Sequence, residues 1–267
     1  MSQKKRLDVL LVERGLCLTR QKAQAVIMAG QVYSGEKRLD KPGQTLPDDA
    51  DLTVRGQVMP YVSRGGLKLA KAMDTWPIGL SGAVCADIGA STGGFTDCML
   101  QNGAKTVYAV DVGYGQLDWK LRNDPRVVCL ERTNARYLTR EEIPLTLDFA
   151  SVDVSFISLR LILPALYPLL REGGEIVCLI KPQFEAGREQ VGKKGVVRDA
   201  AVHRSVLDNF CITVKENNFT LVGMTYSPIR GPEGNIEYLG YLRKANEPDG
   251  VIDTAQIVTA SHTVLCE

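Results

Sequence analysis

The sequence predicts an α/β protein with a mostly parallel, doubly wound, seven-stranded sheet, preceded by a small α+β domain. Three observations support this prediction. From Gly82 onward, apolar strand-like runs alternate with helical patterns, which is typical of parallel sheets. The run from Val84 to Phe95 ends a strand in a glycine-rich turn before a helix. Residues 1–59 differ, because two short helical patterns precede short strands there.

The composition is that of an ordinary globular protein. The chain has 267 residues, of which 45% are hydrophobic and 24% charged, and its formal net charge is +1. No apolar run reaches the roughly 18 to 20 residues that span a bilayer, and Glu13 and Arg14 soon interrupt the apolar run after the basic N-terminus. Seven cysteines lie singly and the two histidines are isolated in sequence. We therefore expect a reduced, cytoplasmic protein without a metal site or membrane segment.

Residues 1–59 are predicted to form the small domain. A helical pattern from Arg6 ends at Gly15, and Thr19 is expected to cap a second helix that Gly30 ends. Strands are predicted over residues 31–33 and 51–54, with a Ser34-Gly35 turn after the first.

The motifs of this domain are Arg6-Leu-Asp-x-Leu-Leu-Val-Glu-Arg-Gly-Leu, Thr19-Arg-x-x-Ala and Ala29-Gly-x-Val-Tyr. They resemble the small RNA-binding domain first seen in a small-subunit ribosomal protein and shared by many pseudouridine synthases. The resemblance implies phosphate contacts by Arg6, Arg14, Arg20 and Lys22. Arg20 and Lys22 lie near a helix start, where their charges oppose the helix dipole, so helix stability does not explain them. The alternative is a solvated basic face without a partner.

Residues 60–66 are predicted to be a linker, with Ser63 capping a helix from Leu67, and residues 67–244 to form the main domain. A linker and an amphipathic tail helix over 252–265 are predicted within 245–267. Strands are expected over 84–87, 106–111, 127–130, 147–154, 175–180, 220–226 and 236–242, the last one antiparallel. Helices are expected over 67–73, 97–102, 117–122, 157–170 and 200–217, with Pro164 and Pro168 bending or breaking the fourth.

The glycine turn indicates one class of cofactor. A dinucleotide fingerprint has glycines at its first, third and sixth positions, whereas this chain has Asp87-x-Gly-x-x-x-Gly-Gly. The Asp87 carboxylate would repel a pyrophosphate but suits a ligand with an ammonium and a sulfonium centre. The pattern resembles motif I of the Rossmann-like S-adenosylmethionine (SAM) methyltransferases, which place an acid for the ribose hydroxyls after the second strand, here Asp111. The alternative is a turn needed only for packing of the helix on the sheet.

Four charged residues lie at or near the ends of predicted apolar strands, where charge is unexpected. Asp153 and Lys181 follow apolar strands, Glu237 begins the last strand, and Lys68 precedes the first. If the last strand is antiparallel, all four converge beside the cofactor. Such a set suits methylation of a weakly acidic hydroxyl, because burial and a second ammonium favour a neutral lysine that can act as the base. We predict Lys181 as that base. The alternative is a pair of ordinary ion pairs.

Together, the motifs resemble the TlyA family, also called hemolysin A, whose methyltransferase half is similar to FtsJ-type RNA 2′-O-methyltransferases. The matching segments are Ser-Arg-Gly-Gly-Leu-Lys (63–68), residues 87–97, Asp153, Lys-Pro-Gln-Phe-Glu (181–185) and Gly-Asn-x-Glu-Tyr (234–238). The resemblance implies methylation of a cytidine 2′-OH in ribosomal RNA by Lys68, Asp153, Lys181 and Glu237. It implies SAM contacts by Asp87, Gly89, Ser91, Thr92, Gly93, Gly94, Asp111 and Asn134, the last standing where FtsJ-type proteins often carry an acid.

Further RNA contacts are predicted at Arg64 and in a basic loop over residues 187–195, at Lys193 and Lys194. The expected partner is ribosomal RNA or a ribosomal subunit, with a monomer favoured. Three other functions are alternatives. A non-catalytic ribosome-assembly factor would not need the four charged residues, and a membrane-lysing protein would need a spanning or amphipathic basic segment. A base-directed methyltransferase usually carries Asn/Asp-Pro-Pro-aromatic, where this chain has Asp153-Val-Ser-Phe.

Overall fold

The computed structural model describes residues 4–17, 19–55, 59–192 and 194–266. The chain divides into two compact units, Met1–Pro60 and Tyr61–Glu267. Each unit has its own hydrophobic core.

The N-terminal unit contains two helices and five short strands. In chain order these are β1 (Lys4–Arg6), α1 (Leu7–Glu13), α2 (Arg20–Met28), β2 (Val32–Ser34), β3 (Lys37–Leu39), β4 (Thr45–Pro47) and β5 (Thr53–Val54). Strand β1 pairs with β4, and β2 pairs with β3 and β5, all antiparallel. The predicted cap is confirmed, because the Thr19 hydroxyl accepts a hydrogen bond from the Lys22 amide at 3.2 Å. Strands β1, β3 and β4 were missed because their short sequences, Lys-Lys-Arg, Lys-Arg-Leu and Thr-Leu-Pro, are rich in charge or contain proline and do not show a strand pattern.

The second unit holds the large sheet and the remaining helices. In chain order its regular elements are α3 (Gly65–Thr75), β6 (Val84–Ile88), α4 (Gly94–Gln101), β7 (Thr106–Val110), α5 (Trp119–Arg122), β8 (Val127–Leu130), β9 (Leu147–Val152), α6 (Leu163–Leu166), β10 (Leu170–Ile180), α7 (Pro182–Glu185), α8 (Ala200–Glu216), β11 (Thr220–Tyr226), β12 (Tyr238–Arg243) and α9 (Thr254–Cys266).

The sheet has seven strands in the order β11-β12-β10-β9-β6-β7-β8. Strands β8, β7, β6, β9 and β10 are parallel, whereas β12 runs antiparallel to both β10 and β11. The predicted mostly parallel, doubly wound fold is therefore confirmed. Because β12 is antiparallel, its first residues lie at the same edge as the carboxyl ends of the parallel strands.

One local prediction was wrong, and one expected break was found. Helix α3 begins at Gly65, inside the predicted linker, and no side chain caps it, so Ser63 is not its cap. Gly66 is required there by close packing, because a Cβ on it would lie 2.3 Å from the Tyr61 ring. The predicted helix over residues 157–170 is broken, as its prolines suggested, into α6 and two single 3₁₀ turns, Leu159–Leu161 and Tyr167–Leu169.

Candidate active site

A cavity with two lobes opens at the carboxyl edge of the parallel strands. The smaller lobe, about 320 Å³, lies between the start of α3, the loop after β6 and the start of β12. The larger lobe, about 450 Å³, lies over the ends of β7 and β8. Gly89, Ser91, Asp153 and Ser155 line both lobes, so the two form one continuous site.

The structure brings the four predicted charged residues together in the smaller lobe. Lys68 in α3 lies 2.6 Å from the Glu237 carboxylate, and Lys181, directly after β10, lies 2.5 Å from Asp153, which follows β9. The second oxygen of Asp153 lies 3.9 Å from the Lys68 ammonium. The four side chains therefore form one ion-pair network in the order Glu237, Lys68, Asp153, Lys181.

Burial distinguishes this ion-pair network from an ion pair on the protein surface. Lys68 and Lys181 are 7% and 8% exposed, and Glu237 is 1% exposed. Buried charges are tolerated when each has an opposite partner, and here two amines face two carboxylates. Lys181 also donates to the Ser155 hydroxyl at 3.2 Å. An amine, a carboxylate and a hydroxyl at one rim of a cavity can exchange a proton with a substrate hydroxyl placed there.

Asp87, the acid at the end of β6, has partners within the chain. Its carboxylate accepts hydrogen bonds from the Thr96 amide (2.9 Å) and hydroxyl (2.6 Å) and from the Ser151 hydroxyl (2.9 Å). It therefore supplies the helix-capping acceptor that glycine at the start of α4 cannot. Burial raises the pKa of Asp87 to about 6, although the hydrogen bonds from Thr96 and Ser151 oppose that rise. Asp87 also lines the smaller lobe.

The glycines of the turn serve different purposes. Gly89 has φ of +84°, and a Cβ there would lie 2.4 Å from the Asp153 carbonyl oxygen, so the turn lies directly against the loop after β9. Gly93 was predicted to contact the cofactor, but within the described residues it lines neither lobe. A Cβ on Gly93 would lie 2.2 Å from Leu121, which makes packing against α5 the reason for this glycine. Gly94 and Thr92 do line the smaller lobe.

The larger lobe carries the predicted second acid. Asp111 accepts hydrogen bonds from the amides of Ser91 (2.8 Å) and Gly113 (2.7 Å), one on each oxygen. These bonds fix the carboxylate at the lobe wall and leave lone pairs for a ligand. Asn134 also lines this lobe, while its side-chain oxygen accepts from the Arg136 amide at 3.1 Å and caps the 3₁₀ turn Ala135–Tyr137.

Sequence reasoning missed Phe156, which lines the larger lobe. Its side chain is 90% exposed and its φ is +62°, an uncommon conformation for a bulky residue. The Phe156 and Phe184 ring centroids lie 4.9 Å apart. The loop is held by Glu185, which accepts from the Ser158 hydroxyl (2.7 Å) and the Leu159 amide (2.8 Å). Burial raises the pKa of the Glu185 carboxyl. The sequence signal was an aromatic residue three positions after Asp153.

The basic residues predicted to bind RNA are placed unequally. Arg6 and Arg20 both pair with the buried carboxylate of Asp8, each at 2.9 Å, and Arg14 donates to the carbonyl oxygens of Asp48 and Ala50. The position of Arg20 at a helix start is thus explained by Asp8 within the domain, which corrects the argument that only an external partner accounts for it.

The remaining predicted RNA contacts are exposed or partly exposed. Arg64 is exposed and lines the smaller lobe, Lys194 is exposed in the loop after α7, and Lys22 is partly exposed. Lys193 lies outside the described residues.

The two histidines, isolated in sequence, are neighbours in the structure. Their ring centroids lie 5.0 Å apart. His203 is fully buried, with one ring nitrogen 2.7 Å from the Tyr238 hydroxyl and the other 3.0 Å from the Val197 carbonyl oxygen. Within the described ranges, no group of three or more His, Cys, Asp or Glu side chains is placed to hold a metal ion. Within those same ranges, no helix has both the length and the apolar character required to cross a membrane.

Comparison with known proteins identifies the families that the two parts of the chain resemble. The family model described as FtsJ-like methyltransferase matches residues 61–244, and that of the S4 domain matches residues 5–52. The 16S/23S rRNA (cytidine-2′-O)-methyltransferase TlyA of Mycobacterium tuberculosis is 45% identical over 100% of this chain and 99% of its own length. Hemolysin A of Brachyspira hyodysenteriae is 43% identical over 89% of this chain and 99% of its own.

A solved structure of a protein named as a hemolysin, from Streptococcus thermophilus, is 46% identical, with a TM-score of 0.77 over 99% of this chain and 98% of that one. The predicted resemblance to the TlyA family is confirmed. The cavity also fits the cofactor, because the loop at Gly89 has no room for a side chain and an acid stands at the end of each of two adjacent strands. The chain therefore belongs to the FtsJ-like methyltransferases with an S4 domain, and it is a SAM-dependent methyltransferase.

Proposed function

We propose that this protein transfers a methyl group from SAM to the ribose 2′-OH of a cytidine in ribosomal RNA. The observation that carries the proposal is the buried ion-pair network of Glu237, Lys68, Asp153 and Lys181 at the rim of the cavity. A ribose hydroxyl is a weak nucleophile until a base removes its proton, and the two buried lysines place amines at that position. The activity of the Mycobacterium tuberculosis relative, an rRNA (cytidine-2′-O)-methyltransferase, supports cytidine and ribosomal RNA as the substrate class.

Lys181 is proposed as the base. SAM supplies a methyl group on a positively charged sulfur, so the remaining requirement is removal of the hydroxyl proton as the oxygen attacks. Once Lys181 has released its own proton, it accepts the hydroxyl proton at Nζ, while Asp153, 2.5 Å away, orients the amine and stabilises the ammonium that forms. Lys68, which is itself paired with Glu237, lies near the other carboxylate oxygen of Asp153 and helps to position that carboxylate.

The two lobes suggest where SAM binds. Asp111 is proposed to bind the ribose hydroxyls of SAM and Asn134 its adenine, because both line the larger lobe. Asp87, Gly89, Ser91, Thr92 and Gly94 are proposed to surround the methionine end. A cation near Asp87 would stabilise its ionised form.

Phe156 is proposed to stack on the target base. In-line attack on the methyl group requires the target nucleotide to be held in one orientation, and an exposed aromatic ring beside the cavity offers its base a stacking surface. Its unusual φ of +62° supports a functional role, since a bulky residue there is strained.

The N-terminal unit is proposed to bind the RNA backbone through Lys22, and the second unit through Arg64 and Lys194. Such contacts position RNA without reading its sequence and weaken steeply with salt. Arg6, Arg14 and Arg20, predicted as phosphate contacts, already have partners within the N-terminal unit, so their proposed role is to hold that unit together. We further propose that the protein acts in the cytoplasm, as a monomer, on ribosomal RNA or a ribosomal subunit.

The test is methyl transfer from labelled SAM to 16S and 23S ribosomal RNA and to isolated subunits, followed by mass mapping of nucleosides. We expect 2′-O-methylcytidine. A methyl group on a base would contradict the reaction, and RNA binding without any transfer would favour an assembly factor. Leakage of lipid vesicles on addition of the protein would support the membrane-lysing alternative. Lys105→Ala, at an exposed lysine before β7 on the opposite sheet edge, is a control that should keep full activity.

A further inference from the structure

A third cavity lies beside the active site and plays no part in the reaction described above. Its volume is about 370 Å³, and its wall comes from the segment before α8, the loop between β11 and β12, and helix α9. Arg230 lines both this cavity and the smaller lobe of the active site. The two cavities are therefore adjacent.

The charge of this third cavity is basic. Arg198 and Arg230 are exposed, and within the described residues neither makes an ion pair or a hydrogen bond. Some other arginines of this unit are paired, as Arg243 is with Glu175 at 3.2 Å. Glu233 is the one acid among the described lining residues, and it is exposed. Two free guanidinium groups at one cavity suit a phosphate, whose oxygens match their planar donors.

Hydrogen bonds fix the backbone that forms the wall of the third cavity. Asn235, 1% exposed, donates to the Gly195 carbonyl at 2.9 Å and accepts from the Val197 amide at 3.0 Å. It thereby joins the basic loop to the loop between β11 and β12. The buried His203 ring also contacts the Val197 carbonyl oxygen. The backbone that carries Arg198 is thus held in place before any ligand arrives, which lowers the entropic cost of binding.

Helix α9 completes the wall through His262. Its Nε2 atom is buried and has no hydrogen-bond partner among the described residues. Histidine at this position adds a further hydrogen-bonding side chain to a cavity that already holds two cations. The tail helix, for which the sequence suggested no role, therefore contributes a polar group to the cavity.

We propose that this third cavity binds a backbone phosphate of the RNA strand that flanks the methylated nucleotide. The proposal rests on the function proposed above, because it is RNA in the active site that brings a phosphate within reach of Arg230. Arg198 and Arg230 hold the phosphate, and the strand passes from the active site over the loop between β11 and β12. The same chemistry would accept a free phosphate, so the experiment must separate the two sources.

Arg198→Ala in the full-length protein is the test, because Arg198 lines the third cavity and not the active site. With transcribed ribosomal RNA we expect Kd and KM to rise about tenfold and kcat at saturating RNA to stay within about twofold. The slope of log K against log salt should fall in magnitude by about one. Arg198→Lys keeps the charge, so it should retain the slope while losing part of the affinity.

Arg171→Ala is the matched control. It removes the same charge from an exposed site at the opposite sheet edge, where Arg171 pairs with Asp148. Equal RNA affinity and equal salt slopes for Arg198→Ala and Arg171→Ala would overturn the proposal. So would calorimetric binding of inorganic phosphate that Arg198→Ala abolishes while RNA affinity is unchanged. If wild type binds RNA but transfers no methyl, the proposed function fails, and the affinity and salt data still decide whether the cavity binds RNA.

Discussion

Each unit of this protein buries charge, but in opposite ways. In the N-terminal unit the Asp8 side chain is 0% exposed, while its partners Arg6 and Arg20 are 46% and 55% exposed. In the second unit the amines themselves are buried, since the side chains of Lys68 and Lys181 are 9% and 10% exposed. One cluster holds an acid with cations that reach in from solvent, and the other holds amines at a cavity.

The difference separates a structural cluster from a reactive one. The Asp8 carboxylate accepts four hydrogen bonds, from both arginines and Gln24, so its acceptor capacity is filled. Hydrogen bonding by Arg6 holds the pKa of Asp8 well below its usual range. Lys181, by contrast, has three donors, two partners and an open lobe beside it. Space for a substrate atom, more than burial of charge, marks the reactive cluster.

The largest expected effect is that of Lys181→Arg. Arginine keeps the positive charge and can still pair with Asp153, but it does not deprotonate in proteins, so it cannot act as a base. We expect methyl transfer to fall about 10²- to 10⁴-fold in single-turnover assays with labelled SAM, while RNA and SAM affinities stay within about threefold.

Lys105→Arg is the matched control, since that lysine is exposed on the opposite edge. Activity of Lys181→Arg within tenfold of wild type would reassign Lys181 from base to structural ion pair. The two buried clusters would then be of the same kind.

The second effect concerns Asp8→Asn, which leaves two arginines facing an amide. We expect the N-terminal unit to lose about 1 to 3 kcal/mol of unfolding free energy, measured by hydrogen exchange of α1 and α2 in the full chain. Because the folded pKa of Asp8 is depressed, its contribution is fully present above the unfolded pKa of about 3.9 and is lost progressively as pH falls from there toward the lower folded pKa. The difference in unfolding free energy between wild type and Asp8→Asn should therefore decrease steadily as pH is lowered from about 6 to about 2. A difference that stays constant over that whole range would mean that shape, not charge, holds this cluster together.

The third effect compares two buried aspartates. Asp8 has arginine partners, whereas Asp87 has only neutral donors in Thr96 and Ser151, and burial raises its pKa to about 6. A bound cation favours the ionised form, so SAM affinity should be highest above pH 6 and fall, by up to about tenfold per unit, as pH drops below 6. Calorimetric titrations between pH 5 and 7.5 would measure this. In Asp87→Asn the pH dependence should vanish, and an equal dependence in both proteins would exclude Asp87 as its source.

The sequence predicted the sheet and the meeting of four charged residues because both depend on chain order. Charges at the ends of apolar strands must lie at one edge once the strands are parallel, and Lys181 and Asp153 followed from that alone. Side-chain pairing did not follow, because it depends on how helices pack: the contact of Asp8 with Arg20 spans two helices, and Gly93 faces Leu121. The φ of Phe156 is likewise set by loop geometry that no residue type specifies.

The smallest effect should separate the RNA-facing cations from the structural ones. Lys22 is partly exposed and has no ion pair among the described residues, whereas Arg20 pairs with Asp8. Lys22→Ala should weaken RNA binding by about threefold and reduce the salt slope by about one, without changing hydrogen exchange in α1 and α2. Arg20→Ala should instead speed exchange in both helices, because the buried carboxylate of Asp8 loses a partner. If Arg20→Ala lowers RNA affinity with no change in exchange, the Asp8 cluster does not stabilise the domain, and its arginines belong with Lys22 as phosphate contacts.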